Sequence, residues 1–137
     1  MRLALPFAVA LAVLPLMPAG AFATAGMVCD GVGEAEAGVE MNLPRSAGSP
    51  PNWVRVDAGG KLYSSLSIDD GAVPIATRQS FDDGDTFRID LTDDSFADTI
   101  IRIRLFRAEE GDAMPVHVGY LHVLGEGVYP IICTEDE

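Results

Sequence analysis

The sequence has few of the residues that most often carry catalytic chemistry. It contains two histidines, two cysteines and one tryptophan in 137 residues. Redox proteins commonly use a C-x-x-C pair, but Cys29 and Cys133 lie near opposite ends of the region that follows the N-terminal apolar run. The G-x-S-x-G sequence that surrounds the nucleophilic serine of many hydrolases does not occur either. We therefore predict that the chain is not an enzyme and uses no cofactor.

Positive charge is scarce along the whole chain. Nine lysines and arginines stand against 21 aspartates and glutamates, which gives a formal net charge of −12. Lys61 is the one lysine. Such a protein repels phosphate groups, so we expect neither a nucleic acid nor an anionic membrane surface as its partner. It attracts cationic proteins instead, and association driven in this way weakens as the salt concentration rises.

A long apolar run occurs only at the N-terminus. Leu3–Met17 follows the positively charged Arg2, and Ala21–Ala23 has the small-x-small pattern that signal peptidase recognises. The run is shorter than the roughly 20 residues of a membrane-spanning helix, although an uncleaved anchor is the alternative. We predict that residues 1–23 are a cleaved signal peptide. Residues 24–137 are then a single periplasmic or secreted domain, with no membrane association after cleavage.

The two cysteines are predicted to form a disulfide. In an oxidising compartment, an isolated pair such as Cys29 and Cys133 most often bonds. The two sulfur atoms can meet only if the first and last strands of the domain are neighbours. The expected bridge therefore ties the two ends of the domain together.

The rest of the chain alternates apolar and polar residues over short stretches, which is the pattern of β-strands with one buried face. Turns with Asp-Gly pairs, at Asp70-Gly71 and Asp83-Gly84, separate some of these stretches. We predict an all-β fold, either an antiparallel β-sandwich or a small barrel of about eight strands. The apolar positions that share a face are Val39, Met41 and Leu43; Val54 and Val56; Leu62, Leu66 and Ile68; Phe87, Ile89 and Leu91; and Ile101, Ile103 and Leu105.

One predicted strand is irregular. Val116 and Val118 share one parity, whereas Leu121 and Val123 share the other. A β-bulge near Gly119 would place all four side chains in the core. The same bulge would turn three side chains to the outer face, namely His117, Tyr120 and His122.

The two histidines of this strand are poor candidates for one metal site. They are five positions apart, which separates them by about 16 Å in an extended strand. Zinc–nitrogen bonds are only about 2 Å long. We expect two partly exposed histidines without a metal.

Two groups of charged residues invite comparison with binding sites. Arg102, Arg104 and Arg107 form a local basic cluster, but Asp90 lies on a neighbouring predicted strand, which favours cross-strand ion pairs. Aspartates are crowded between positions 82 and 98, and calcium is bound by such oxygen ligands. The D-x-D-x-D-G calcium loop is missing, and these segments are typical of hairpin turns. Whether calcium binds there stays open for Asp82, Asp83, Asp85, Asp93 and Asp94.

Two functional hypotheses remain. The first is a non-enzymatic binding or structural module whose partner is a cationic envelope or secreted protein. One concrete version is an inhibitor of a basic enzyme such as a lysozyme, by analogy at the level of protein class only. The alternative is a calcium- or other metal-binding protein, or a small hydrolase, that uses the aspartate-rich loops.

Overall fold

The computed structural model describes residues 25–46 and 48–136, and within them the regular structure is entirely β-strand. The predicted signal peptide, residues 1–23, lies outside the described residues. No helix in the described part of the chain is long and apolar enough to cross a membrane. The strands are β1 (Ala25–Gly31), β2 (Ala37–Leu43), β3 (Trp53–Ala58), β4 (Lys61–Ser64), β5 (Val73–Asp82), β6 (Thr86–Asp93), β7 (Thr99–Ala108), β8 (Val116–Val123) and β9 (Gly127–Asp136).

The strands form a closed barrel in which each strand pairs with the next and β9 returns to β1. The all-β prediction is confirmed, and of the two architectures left open the barrel is the one observed. The described residues supply nine strands where about eight were expected. Pairing is antiparallel except between β4 and β5, which run parallel over a short stretch.

The barrel interior is filled by the alternating apolar residues of the strands. On β6, Phe87, Ile89 and Leu91 face inward, and on β7 so do Ile101, Ile103 and Leu105, as their spacing predicted. The register of β6 and β7 places these side chains side by side in the core, because Ile89 lies directly opposite Ile103 and Leu91 opposite Ile101. Buried side chains of this size each contribute roughly 1.5–3 kcal/mol through the hydrophobic effect.

The predicted disulfide is confirmed. Cys29 on β1 lies directly opposite Cys133 on β9, and their Cα atoms are 3.9 Å apart. The bond therefore crosses the seam at which the first and last strands close the barrel. In the chain-entropy view, a loop of this length contributes about 4–5 kcal/mol to stability.

The prediction of a strand that places Leu62, Leu66 and Ile68 in the core is wrong. Strand β4 ends at Ser64, and Ile68 is 77% exposed in the connection to β5. A polar network organises this connection instead. The Asp69 carboxylate accepts hydrogen bonds from the Arg55 guanidinium at 2.7 and 2.5 Å and from the Ser64 hydroxyl at 2.5 Å.

The predicted bulge in β8 is also wrong. Residues 116–123 pair one to one with both neighbouring strands, so strict alternation is kept throughout. Gly119 serves another purpose, since a Cβ atom built on it would lie 1.9 Å from the carbonyl oxygen of Arg104. The glycine therefore allows β7 and β8 to approach closely. A bulge does occur in β5, between Thr77 and Gln79.

Candidate binding surface

Because β8 keeps a regular alternation, it presents apolar side chains to solvent as well as to the core. Leu121 and Val123 point into the barrel and are buried. Val116, Val118 and Tyr120 occupy the opposite face and are exposed. The outer surface of this strand is therefore apolar over three successive outward positions.

The neighbouring strands extend this apolar surface on both sides. Val118 lies directly opposite Phe106 of β7 and Ile132 of β9. The exposed fractions of the three side chains are 42%, 57% and 43%, so the whole row is open to water. Cβ atoms of directly opposite residues are about 5 Å apart, which makes the row continuous. We call the apolar patch the set Val28, Phe106, Val116, Val118, Tyr120 and Ile132.

Carboxylates border the apolar patch on its β1–β2 side. Asp30, which is exposed, lies directly opposite Ile132, and Glu40 lies directly opposite Val28. The patch covers four neighbouring strands, β7 to β9 and β1, which corresponds to a width of about 14 Å. It is thus an apolar strip on the barrel wall with negative charge along one edge.

Arg104 borders the opposite, β7 side of the patch. Arg104 is the register partner of Tyr120, and it forms the cross-strand ion pair with Asp90 that the sequence predicted, at 2.6 Å. Its Nη1 also donates to the backbone carbonyls of Ile89 and Ile103, at 2.9 and 2.8 Å. Arg104 is therefore held in place by three partners.

The two histidines lie on opposite faces of β8. His122 is on the outer face, as predicted, but His117 points inward and is only 5% exposed, which corrects the prediction for that residue. Its Nε2 lies 3.4 Å from Glu135, and its Nδ1 has no hydrogen-bond partner among the described residues. Burial lowers the pKa of His117 below its ordinary value, although the nearby Glu135 opposes this effect.

The first group of aspartates lies at the hairpin between β5 and β6. The Asp82 carboxylate accepts a hydrogen bond from the backbone N–H of Gly84 at 2.9 Å. Asp83 accepts two, from the N–H groups of Asp85 and Thr86. These carboxylates stabilise the turn, as the hairpin interpretation of this segment expects.

The second group of aspartates lies at the other end of β6, in the turn before β7. Asp93 accepts a hydrogen bond from the N–H of Ala97, and hydrogen bonding led by Ser95 lowers the pKa of its carboxyl. Since β6 separates this turn from the β5–β6 hairpin, the two aspartate groups cannot share one ion. Within residues 25–46 and 48–136, no three histidine, cysteine or acidic side chains are arranged to hold a metal ion.

The sequence pattern does not reveal the apolar patch, because it predicts Val116 and Val118 in the core and gives no direction for Val28 and Ile132. For Phe106, the alternation along β7 indicates an outward direction. This residue follows the inward series Ile101, Ile103 and Leu105 with the opposite parity, which directs it outward. Val118 carried no such signal, because its direction depended on whether β8 contained a bulge.

Comparison with known proteins returned no similar protein. No family model matches the chain, no curated protein matches it, and no solved structure matches it.

Proposed function

We propose that this protein is a non-enzymatic binding module that docks a cationic protein onto the apolar patch. The observation that carries the proposal is the exposed row of Phe106, Val118 and Ile132, whose β1 end meets the carboxylate of Asp30. Contiguous exposed apolar surface rimmed by polar residues is characteristic of protein–protein contact sites. Aromatic side chains such as Phe106 and Tyr120 are enriched in the centres of such sites.

Charge favours a cationic partner over a second copy of the chain. Two copies, each with a formal charge of −12, repel one another at low ionic strength. A partner with basic residues beside an apolar surface would be drawn toward Asp30 and Glu40 while its apolar groups cover the patch. Electrostatic steering of this kind raises association rates and is reduced by salt.

The disulfide supports an exported location for this encounter. Cys29 and Cys133 are bonded, and such bonds persist mainly in oxidising compartments. Together with the predicted signal peptide, this favours the periplasm or the extracellular medium. Basic secreted enzymes, lysozyme among them, are partners with the required charge.

The test is binding to immobilised lysozyme and to a panel of basic secreted proteins, measured at low salt and at roughly 0.5 M salt. Val118→Ser and Phe106→Ser should each weaken binding about tenfold or more, since they remove apolar contact from the centre of the patch. Val73→Ser is the matched control, because Val73 is 39% exposed but lies on β5, outside the patch.

A pair of charge variants tests the contribution of Asp30 to association. Asp30→Asn should slow association at low salt, whereas Asp112→Asn, in the loop before β8, should leave the association rate nearly unchanged. The proposal would be disproved if the affinity changed neither with the salt concentration nor in Val118→Ser and Phe106→Ser. Self-association of the purified chain that Val118→Ser abolishes would show instead that the patch is an interface between copies.

A further inference from the structure

A second feature of the outer wall is a concavity on β5, β6 and β7 with a volume of about 230 Å³. We call it the arginine groove. Arg104 separates the groove from the apolar patch. A ligand in the groove and a protein on the patch could therefore bind independently of each other. Its lining residues are Gln79, Phe81, Arg88, Asp90 and Arg104.

The bulge in β5 builds one side of this groove. Ile75 is buried, and an uninterrupted strand would direct Phe81, six positions later, to the same inner face. The register shift between Thr77 and Gln79 reverses the alternation. Phe81 is consequently 45% exposed and lies directly opposite Arg88 on the outer surface. Bulges that redirect side chains in this way are frequent beside functional sites.

The groove is locally positive on an acidic protein. Asp90 is already neutralised by the fixed guanidinium of Arg104. Arg88 is exposed, and no carboxylate of the described residues lies within ion-pair distance of it. Arg102, the register partner of Asp90 on β7, is likewise exposed and without an ion pair among those residues. Three arginines, Arg88, Arg102 and Arg104, therefore share this outer face with the single carboxylate of Asp90.

An aromatic ring lies beside this positive charge. The guanidinium carbon of Arg88 is 5.7 Å from the centroid of the Phe81 ring, so the cation and the ring border the same space. The exposed Gln79 amide, directly opposite Asp90, adds a hydrogen-bond donor and an acceptor. The groove thus combines a cation, an apolar ring and a polar rim.

We propose that the arginine groove binds a small ligand in which a carboxylate is attached to a single ring. The carboxylate would pair with Arg88, since guanidinium groups match carboxylates with two parallel hydrogen bonds. The ring would pack against Phe81, and its polar substituents would reach Gln79 and Asp90. The volume is below the roughly 300 Å³ typical of drug-sized ligand sites, which favours one ring over several.

The test uses the disulfide-bonded protein labelled with ¹⁵N and titrated with benzoate and, separately, glucuronate. The two probes share the carboxylate and differ in having an aromatic or a saccharide ring, so they distinguish two sources of the same chemistry. Acetate and inorganic phosphate are the control anions. We expect at least one ring carboxylate to shift the amide signals of β5, β6 and β7 with a Kd of about 1 mM or lower, and both controls to bind much more weakly.

Variants decide whether the groove is the site. Arg88→Gln and Phe81→Ser should each reduce the affinity about tenfold. Arg107→Gln is the matched control, because Arg107 is an exposed arginine on β7 that does not line the groove. The proposal is overturned if neither ring carboxylate shifts these signals, if acetate binds equally well, or if Arg88→Gln and Arg107→Gln have the same effect. None of these outcomes bears on protein binding at the apolar patch.

Discussion

Gly119 of β8 lies against the backbone of Arg104 on β7, so closely that a Cβ atom on the glycine would be 1.9 Å from the Arg104 carbonyl oxygen. Real Cβ atoms do not approach backbone oxygens to this distance, and a strand backbone cannot move as a flexible side chain can. The contact therefore requires glycine at this position. The missing side chain lets β7, which carries part of the arginine groove, lie close beside β8, the strand at the centre of the apolar patch.

The first prediction is that Gly119→Ala destabilises the barrel by about 1–3 kcal/mol, because β7 and β8 must separate to admit the methyl group. Gly38→Ala is the matched control. Gly38 also lies in a strand, but a Cβ atom there would be 3.7 Å from its nearest neighbour, the Cys29 carbonyl oxygen, which is an ordinary contact. Urea unfolding of both variants would measure the difference. Equal stability of the two would show that the strands have room to adjust.

The second prediction concerns acidification and His117. Since burial lowers the pKa of this histidine in the folded state, the unfolded chain binds its proton more readily. Its contribution to stability is therefore complete above the unfolded pKa of about 6.5 and is lost as the pH falls below that value. The charged groups around the ring are Glu135 of β9, Asp82 of β5 and Arg107 of β7, and the disulfide-bonded Cys133 lies directly opposite on β9.

Melting temperatures between pH 7.5 and 5.5 would test this prediction. His117→Leu should have a shallower pH dependence than the wild type, whereas His122→Gln, on the outer face of the same strand, should retain the wild-type dependence. If His117→Leu does not fold, the imidazole signals of the wild-type protein report the pKa directly by NMR. A His117 pKa at or above the ordinary histidine value would contradict the argument.

The third prediction is that Asp69→Asn loosens the connection between β4 and β5. Hydrogen bonds from Arg55, and next from Ser64, lower the pKa of Asp69. The stabilisation it provides is therefore present above the ordinary aspartate pKa of about 3.9 and is lost as the pH falls below that value. Asp70→Asn is the control, because Asp70 is the exposed neighbour of Asp69. The free energy of unfolding should change less between pH 5 and pH 2 in Asp69→Asn than in the wild type, and Asp70→Asn should behave like the wild type.

The fourth prediction addresses calcium and the β5–β6 hairpin. Asp83→Ala should lower the melting temperature by a few degrees, because two backbone N–H groups lose their acceptor, whereas Asp85→Ala should change it little. Because Asp82 and Asp83 are engaged with backbone donors, we expect about 5 mM calcium to leave the wild-type melting temperature unchanged. A rise of several degrees that EDTA reverses would identify this hairpin as a calcium site instead.

Local patterns predicted most of the barrel wall. The alternation of Phe87, Ile89 and Leu91 identified β6 and its buried face, because an inward position every two residues is a property of the extended backbone itself. The presence of just two cysteines, Cys29 and Cys133, and the expected oxidising compartment predicted the disulfide. Neither inference required knowing which strands are neighbours in the sheet.

The errors arose where a neighbouring strand decides the outcome. Val118 looked like a core residue, yet its direction follows from one-to-one pairing with β7 and β9. Ile68 looked like part of a strand, but the ion pair between Arg55 and Asp69 shapes that segment as a connection. In both cases, the burial of an apolar residue was assumed from its type, and exposed apolar residues are common enough to defeat that assumption.

The sequence by itself determined that this is an acidic all-β protein whose first and last strands meet through a disulfide, because strand alternation, net charge and cysteine chemistry are properties of local residues. Only the tertiary structure decided that the sheet closes into a barrel, that Phe106, Val118 and Ile132 form one exposed row, and that Phe81 turns outward beside Arg88. Strand register places those side chains together. Register depends on contacts between strands distant in sequence, such as the approach of Gly119 to Arg104, which a single sequence does not specify.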